Sequence, residues 1–436
     1  MSRTVRHLAL GALLVGLATP LLAQPRPDSA RRNKAGLPLS PGRTFRQTLS
    51  HGTWMSVDVS PDGRTLVFDL LGDLYTLPIG GGRATRLTSG LAYDAQPRWS
   101  PDGRRIVFTS DRSGGDNVWI IEADGSDSTQ VTKGNNNGYI SPEWAPDGQY
   151  LVVTKTGGGS GGNKLWLYHQ DGGAGVQLVQ GSNQLTTIGA AFGPDPRYVW
   201  FATRQGSWSY NAILPEFQLA MYDRVTGSQT TMSSRYGSAF RPALSPDGKW
   251  LAYATRHDAE TGLRLRDLAT GSERWLAYPV QRDNQEAYPD LDVLPGYAFT
   301  PDSRELVVSY GGELWRVPVD GSAARKIPFT ADVEVPLGPE LRFDYTIADE
   351  STLVARQIRD PVPTPDGRRL AFSALNHLWV MDQPEGTPRR VTAHSEGEFF
   401  PTWSPDGRWL AFVTWSGEGG HLYKAPVDGG GAPVRL

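Results

Sequence analysis

The chain has 436 residues, a formal charge of −3 and no cysteine, with 50 glycines, 33 prolines and 14 tryptophans. The missing thiols exclude disulfides, thiolate metal sites and a lipid-anchoring cysteine, and the charge balance gives no polyanion-binding surface. Such a composition suits many short strands joined by tight turns.

Residues 1–23 read as a signal peptide: Arg3, Arg6 and His7 form a basic start, Leu8 to Leu17 an apolar stretch, and Leu21, Leu22 and Ala23 a small-residue exit. That apolar stretch is far shorter than the roughly 20 residues a spanning helix needs, so no membrane span is expected once the signal is removed. A bacterial periplasmic or secreted location follows. Residues 24–42, with Pro25, Pro27, Pro38 and Pro41, read as an extended leader.

From residue 43 to 436 one tetrapeptide recurs. Its clear copies centre on Pro61-Asp62-Gly63, Pro101-Asp102-Gly103, Pro146-Asp147-Gly148, Pro246-Asp247-Gly248, Pro365-Asp366-Gly367 and Pro405-Asp406-Gly407, and degenerate copies lie at Pro194-Asp195-Pro196 and Pro301-Asp302-Ser303. Proline presets φ, aspartate caps its own backbone and glycine takes the left-handed conformation, so each anchor is predicted to join two antiparallel strands. Apolar runs follow each time, such as Leu66-Val67-Phe68, Ile106-Val107-Phe108 and Leu410-Ala411-Phe412, and their continuity predicts burial on both faces. A third strand repeats as Leu74-Tyr75, Val118-Trp119, Leu165-Trp166, Leu314-Trp315, Leu378-Trp379 and Leu422-Tyr423, and a fourth is marked by Arg86-Leu87-Thr88 or Arg390-Val391-Thr392. Four antiparallel strands per repeat, with no sustained helical period, predict an all-β propeller of about eight four-stranded blades. A β-sandwich would not place eight copies of one turn at one point of a four-strand unit.

The two ends add an expectation. Thr44 to Thr48 precedes Ser60 as Thr88 precedes Ser100, so it reads as a fourth strand without a blade, while Pro433 to Leu436 stops inside another fourth strand. The N-terminal strand is therefore expected to belong to a blade beyond Leu436, and the chain to be part of a longer protein.

No catalytic or metal-binding set emerges from the residues. Gly158-Gly159-Ser160-Gly161-Gly162 has the spacing of a nucleophile elbow but lacks the flanking strand and helix, and the Asp111–Asp116 and Asp124–Asp127 pieces lack calcium-loop spacing. Arg112, Arg204 and Arg256 each follow a second strand, where blade-edge ion pairs are expected rather than an anion pocket. Trp119, Trp166, Trp315 and Trp379 share one repeat position and read as wedges between blades. The position seven before each anchor proline varies, and its polar or aromatic occupants Trp54, Asp94, Tyr139 and Glu398 are the candidate binding rim. Residues 205–217 and 331–359 depart from the repeat and read as rim elaborations.

The heptapeptides Pro97-Arg98-Trp99-Ser100-Pro101-Asp102-Gly103 and Pro401-Thr402-Trp403-Ser404-Pro405-Asp406-Gly407 resemble the hallmark of the TolB-like, WD-type propeller repeat, and the resemblance covers about 390 residues. Gly52 to Gly63, followed by Phe68 to Tyr75, is most similar to the N-terminal propeller half of exported bacterial amidohydrolases. That resemblance implies a non-catalytic domain for binding, docking or substrate gating, with a companion catalytic domain after Leu436 holding a zinc-like divalent metal. The family's His-x-His motif has no counterpart among the seven histidines here. Two alternatives stay open: a stand-alone TolB-like propeller that binds periplasmic proteins, and the propeller of a tricorn-like or prolyl-oligopeptidase-like peptidase. Against the first, residues 24–43 are too few for the small α/β domain that precedes TolB propellers.

Overall fold

Each anchor turn closes as its residues require. At the first, Ser60 Oγ donates to Asp62 Oδ1 (2.6 Å), the same carboxylate oxygen accepts from Arg64 N (3.0 Å), and Ser60 Oγ accepts from Thr65 N (2.9 Å). Gly63 completes the turn at φ 71°. The pattern recurs around Asp102, Asp247, Asp302, Asp366 and Asp406. These turns are seen in a computed structural model, which describes residues 41–136, 138–157, 162–206, 213–287, 290–338, 344–428 and 431–436. The expected signal peptide and nearly all of the leader, most of the Gly158–Gly162 stretch, and the aromatics Trp208 and Tyr210 lie outside the described residues.

Eight four-stranded antiparallel sheets occupy the eight predicted repeats, and no helix occurs among the described residues. The fold is an all-β, multi-blade propeller. In chain order the blades span residues 57–86, 94–130, 139–177, 185–231, 240–277, 298–327, 359–390 and 397–435. The 43–436 stretch, read from its repeats as one propeller, divides into two compact units: unit 1 reaches Leu341 and carries blades 1 to 6, and unit 2 runs from Arg342 and carries blades 7 and 8.

Unit 1 closes on itself after six blades. The anchor turns stack in sequence, so that a Cβ on Gly103 would lie 3.4 Å from Pro61 and one on Gly248 3.1 Å from Pro194, and Gly63 of blade 1 meets Pro301 of blade 6 in the same way at 3.4 Å. Val57 N donates to Gly296 O (3.0 Å), and Val57, Leu66 and Phe68 of blade 1 share a core with Val307, Leu314 and Ile327 of blade 6. Both faces of these blades are removed from water, which stabilises each large apolar side chain by about 1.5–3 kcal/mol.

The N-terminal strand behaves differently from the sequence expectation. Arg43–Leu49 pairs antiparallel with Phe329–Leu337, from Arg43 opposite Leu337 to Leu49 opposite Ala331. Its side chains match those facing it: Arg46 forms a two-pronged ion pair with Glu334 (2.9 and 3.1 Å), and Thr48 donates to Asp332 (2.7 Å). Phe329–Leu337 itself continues from blade 6 across blade 1. It pairs in parallel with Gly82–Arg83, and Phe329 packs edge-on against Phe68 with ring centroids 5.3 Å apart. Gly81, at φ 93°, permits the approach, since a Cβ there would fall 2.3 Å from Pro328 O. The first part of the 331–359 departure is thus a clasp strand over the junction of blades 1 and 6.

Candidate functional site

On the innermost strand of most blades the pairing slips by a β-bulge: between Ala95 and Arg98, Ile140 and Glu143, Ile188 and Ala191, and Phe240 and Ala243. A bulge re-aims one side chain, and here the re-aimed residue lies five before the anchor proline. Blades 2 to 5 carry this bulge at Gln96, Ser141, Gly189 and Arg241, and with the equivalent Ser56 and Gly296 of the unbulged blades 1 and 6 these residues lie close to one another. Gln96, Ser141 and Arg241 hold φ of 57°, 51° and 52°, a conformation that costs an L residue about 1–2 kcal/mol.

The convergence makes a buried polar cluster drawn from blades 1, 2, 3 and 5 and from the connection between blades 5 and 6. Arg241 Nη1 donates to Asp292 Oδ2 (2.5 Å) and Ser141 Oγ (2.9 Å), and Ser141 Oγ in turn hydrogen-bonds Asp292. Ser141 N donates to Gln96 Oε1 (2.8 Å), and Gln96 Nε2 to Leu291 O (3.0 Å). Asp69 accepts from Gln96 N and Ser56 N, each at 2.7 Å. A second layer joins Arg98 to Asp58 (3.3 Å), Glu143 (3.3 Å) and Tyr297 O (3.1 Å). Two glycines make the room. A Cβ on Gly296 would fall 2.7 Å from Arg241 Nη2 and one on Gly189 3.0 Å from Asp292 Oδ2.

Burial sets the protonation of this cluster. Loss of water pushes the Asp69 carboxyl up to about 7 against the pull of its two backbone donors and Arg241. Burial likewise raises Glu143 to about 7, opposed chiefly by Arg98, and raises Asp58. The buried polar groups are bonded to one another, so the cluster ties the inner strands of unit 1 together and fixes their relative positions. Among the described residues no group of three or more His, Asp or Glu could hold a metal ion.

The four sequence-predicted rim residues fall elsewhere. Trp54 is half-buried and donates to Leu291 O (3.3 Å), beside the cluster. Asp94 is buried and accepts from Arg112 Nη2 (2.6 Å), and Tyr139 is buried with its hydroxyl 2.9 Å from that of Tyr168. Glu398, in unit 2, is buried and accepts from Leu378 N (3.1 Å) and Thr392. Within unit 1 the structure does not bring Trp54, Asp94 and Tyr139 together. Asp94, Tyr139 and Glu398 brace neighbouring strands, and in blades 2 to 5 the convergent position lies two residues later because the bulge re-aims it.

The three strand-following arginines are paired as blade-edge residues: Arg112 with Asp94, Arg204 with Glu216 (3.0 Å), and Arg256 with Asp283 (2.5 Å) and Glu286 (2.6 Å). The repeated tryptophans are partly buried, with Trp315 and Trp379 donating to Tyr310 O and Ala374 O. Sequence reasoning also missed an open apolar groove on unit 1. Phe45, Thr53, Leu71, Tyr93, Val335 and Leu337 line about 300 Å³ between the clasp and the ends of blades 1 and 2, with Leu71 and Tyr93 each half exposed.

Comparison with known proteins adds a partial family match. Residues 42–214 match the family model described as the TolB beta propeller domain. Over 182 residues, 42% of this chain and 24% of the relative, the sequence is 25% identical to the uncharacterized peptidase YuxL of Bacillus subtilis. Over 59 residues, 13% of this chain and 14% of the relative, it is 42% identical to the Tol-Pal system protein TolB of Bordetella pertussis. The solved structure of TolB from Acinetobacter baumannii aligns at 18% identity with a TM-score of 0.48, over 64% of this chain and 65% of that one. The chain spans a third or less of the length of the curated relatives it matches.

Proposed function

We propose, from the premise that this chain carries a TolB-like β-propeller, that it is the non-catalytic, exported part of a larger hydrolase of the metal-dependent amidohydrolase type, and that unit 1 docks or gates for a companion catalytic domain. The observation that carries this reading is the mutually bonded cluster of Arg241, Asp292, Ser141 and Gln96. Where an enzymatic propeller would present reactive groups to a ligand, these residues spend their bonding capacity on each other. Work by unit 1 then falls to its outer surfaces, and the groove beside Leu71 and Tyr93 offers apolar area for a protein partner. A zinc-like metal would belong to the companion domain. Export to the periplasm or beyond follows from the signal-like residues 1–23.

The test is hydrolysis of N-acyl amino acids and peptide amides, with zinc added, by the 436-residue protein and by the whole product of its reading frame. The proposal expects turnover only by the latter. Turnover by the 436-residue protein, or a reading frame that stops at Leu436, overturns it. A second reading, a TolB-like propeller that binds a periplasmic protein on its own, is favoured by the family match over residues 42–214. A stop codon after Leu436 together with a defined periplasmic partner would select it.

A further inference from the structure

Every blade of this chain carries an apolar residue at the start of its third strand. Leu74, Val118, Leu165, Leu219, Leu263, Leu314 and Leu378 are at most 1% exposed, whereas Leu422 of blade 8 is 48% exposed. The residues beside it follow suit. Val67, Val107, Val152, Ala252, Val307 and Ala371 are fully buried, while their counterpart Ala411 is only half-buried. Val413 lies opposite Leu422 and Trp409 opposite Pro426, so Trp409, Ala411, Val413 and Leu422 share one face of blade 8.

What covers this face elsewhere is the same object each time. Val67 and Leu74 of blade 1 pack on Ile106 and Phe108 of blade 2, Val107 and Val118 of blade 2 on Leu151 and Val153 of blade 3, and in unit 2 Ala371, Val380 and Leu378 of blade 7 pack on Leu410 and Phe412 of blade 8. The covering residues stand five and seven after the anchor proline of the next blade. An indole also crosses two of the junctions, with Trp144 Nε1 donating to Arg98 O (3.3 Å) and Trp403 Nε1 to Val362 O (2.9 Å). The corresponding acceptor on blade 8 is Thr402 O. A second, separate edge of unit 2 is open as well. The bulge position that is buried in unit 1 at Gln96, Ser141 and Arg241 is occupied in blade 8 by Phe400, which is 64% exposed at φ 54°.

We infer that unit 2 is an arc of a propeller, and that the Trp409, Ala411, Val413 and Leu422 face is an interface for one further four-stranded blade of this chain's own repeat type. The occupant presents apolar residues five and seven after its anchor proline and an aromatic side chain two before it, aimed at Thr402 O. A terminal repeat meant to face water carries a polar outer face, and this one is mainly apolar, its polar members being Thr402, opposite Ala411, and Lys424, whose ammonium lies 5.1 Å over the Trp409 ring. The inference does not depend on the hydrolase reading.

The absence of native cysteine makes the test specific. Leu422→Cys and Leu378→Cys are made separately in the full chain, and thiol labelling is timed for each, alone and with a second copy of residues 392–436 appended after Leu436. The expected result is labelling of Leu422→Cys about tenfold or more faster than Leu378→Cys in the 436-residue chain, falling to the Leu378→Cys rate once the blade is appended. Slow labelling of the unextended Leu422→Cys chain at every concentration overturns the inference, because another part of the chain then covers the face. Slow labelling that becomes fast on dilution overturns it in favour of a second copy as occupant. Labelling that stays fast after the extension overturns it whether or not the added blade is folded.

Discussion

Unit 1 and unit 2 are made from one repeat, with the same anchor turn, the same strand order and the same bulge, but they bury the repeat's apolar faces to different extents. In unit 1 each face meets a neighbouring blade and the re-aimed residues of the bulges are locked in a polar cluster. In unit 2 the junction between blades 7 and 8 is built as in unit 1, while the outer face of blade 8 and its bulge residue Phe400 stand in water. The difference teaches that a single blade is specified locally and that its stability is borrowed from neighbours, as in other repeat architectures. It also locates what is particular to unit 1: the residues five before its anchor prolines, and the clasp strand Phe329–Leu337.

The largest expected effect breaks the cluster. Asp292→Ala leaves the buried Arg241 guanidinium without its carboxylate, and unit 1 should lose about 3–5 kcal/mol in urea unfolding followed by tryptophan fluorescence. Replacing both, as Arg241→Met with Asp292→Leu, should recover much of that loss, because the uncompensated charge is then gone. Next comes the matched pair of leucines. Leu74→Ala should cost about 2–5 kcal/mol, as for a fully buried leucine, and Leu422→Ala less than about 1 kcal/mol in the 436-residue protein. Equal losses at the two positions would erase the contrast between the units.

A smaller effect is read from pH. Folding raises the Asp69 carboxyl to about 7 from its ordinary 3.8, so the folded state holds this proton more tightly than the unfolded chain. The stabilisation is complete below about pH 4 and is lost as pH rises through about 7, at up to about 1.4 kcal/mol per pH unit. Asp69→Asn should therefore reduce the pH dependence of unit 1 stability between pH 4 and 7, leaving the part due to Glu143, even though the amide can accept only one of the two backbone donors now held by the carboxylate. Urea midpoints at four pH values check this. The smallest effect is expected at the clasp surface, where Glu334→Ala removes a solvent-exposed partner of Arg46 and should leave the thermal midpoint unchanged within error.

How much of this is legible in the sequence depends on whether a feature is local. The Pro-Asp-Gly turns, the apolar second strands and the eight four-stranded sheets follow from short-range chemistry and could be read directly. The convergent position could not, because the bulge that aims Gln96, Ser141 and Arg241 inward shifts the pattern by two residues, and straight counting along a strand points to Trp54, Asp94, Tyr139 and Glu398 instead. A sharper signal was present in the sequence: the residue five before the anchor proline runs through Ser56, Gln96, Ser141, Gly189, Arg241, Gly296, Asp360 and Phe400, as varied as any position in the repeat. The arginines were legible as blade-edge ion pairs, but the identities of Glu216 and Asp283 as partners depend on loops with no repeat period. Ring closure after six blades was not legible at all. It depends on the angle between successive sheets and on a clasp whose Arg46–Glu334 and Thr48–Asp332 pairs are 284 or more residues apart.

The central claim is that six blades close a ring that needs nothing from unit 2, and the most direct test is the thermal unfolding of a protein ending at residue 338. The account predicts a cooperative transition at the midpoint of unit 1 in the full chain, with the same loss on Asp292→Ala. A truncated protein that is unfolded, or that melts without cooperativity while the full chain does not, would contradict it.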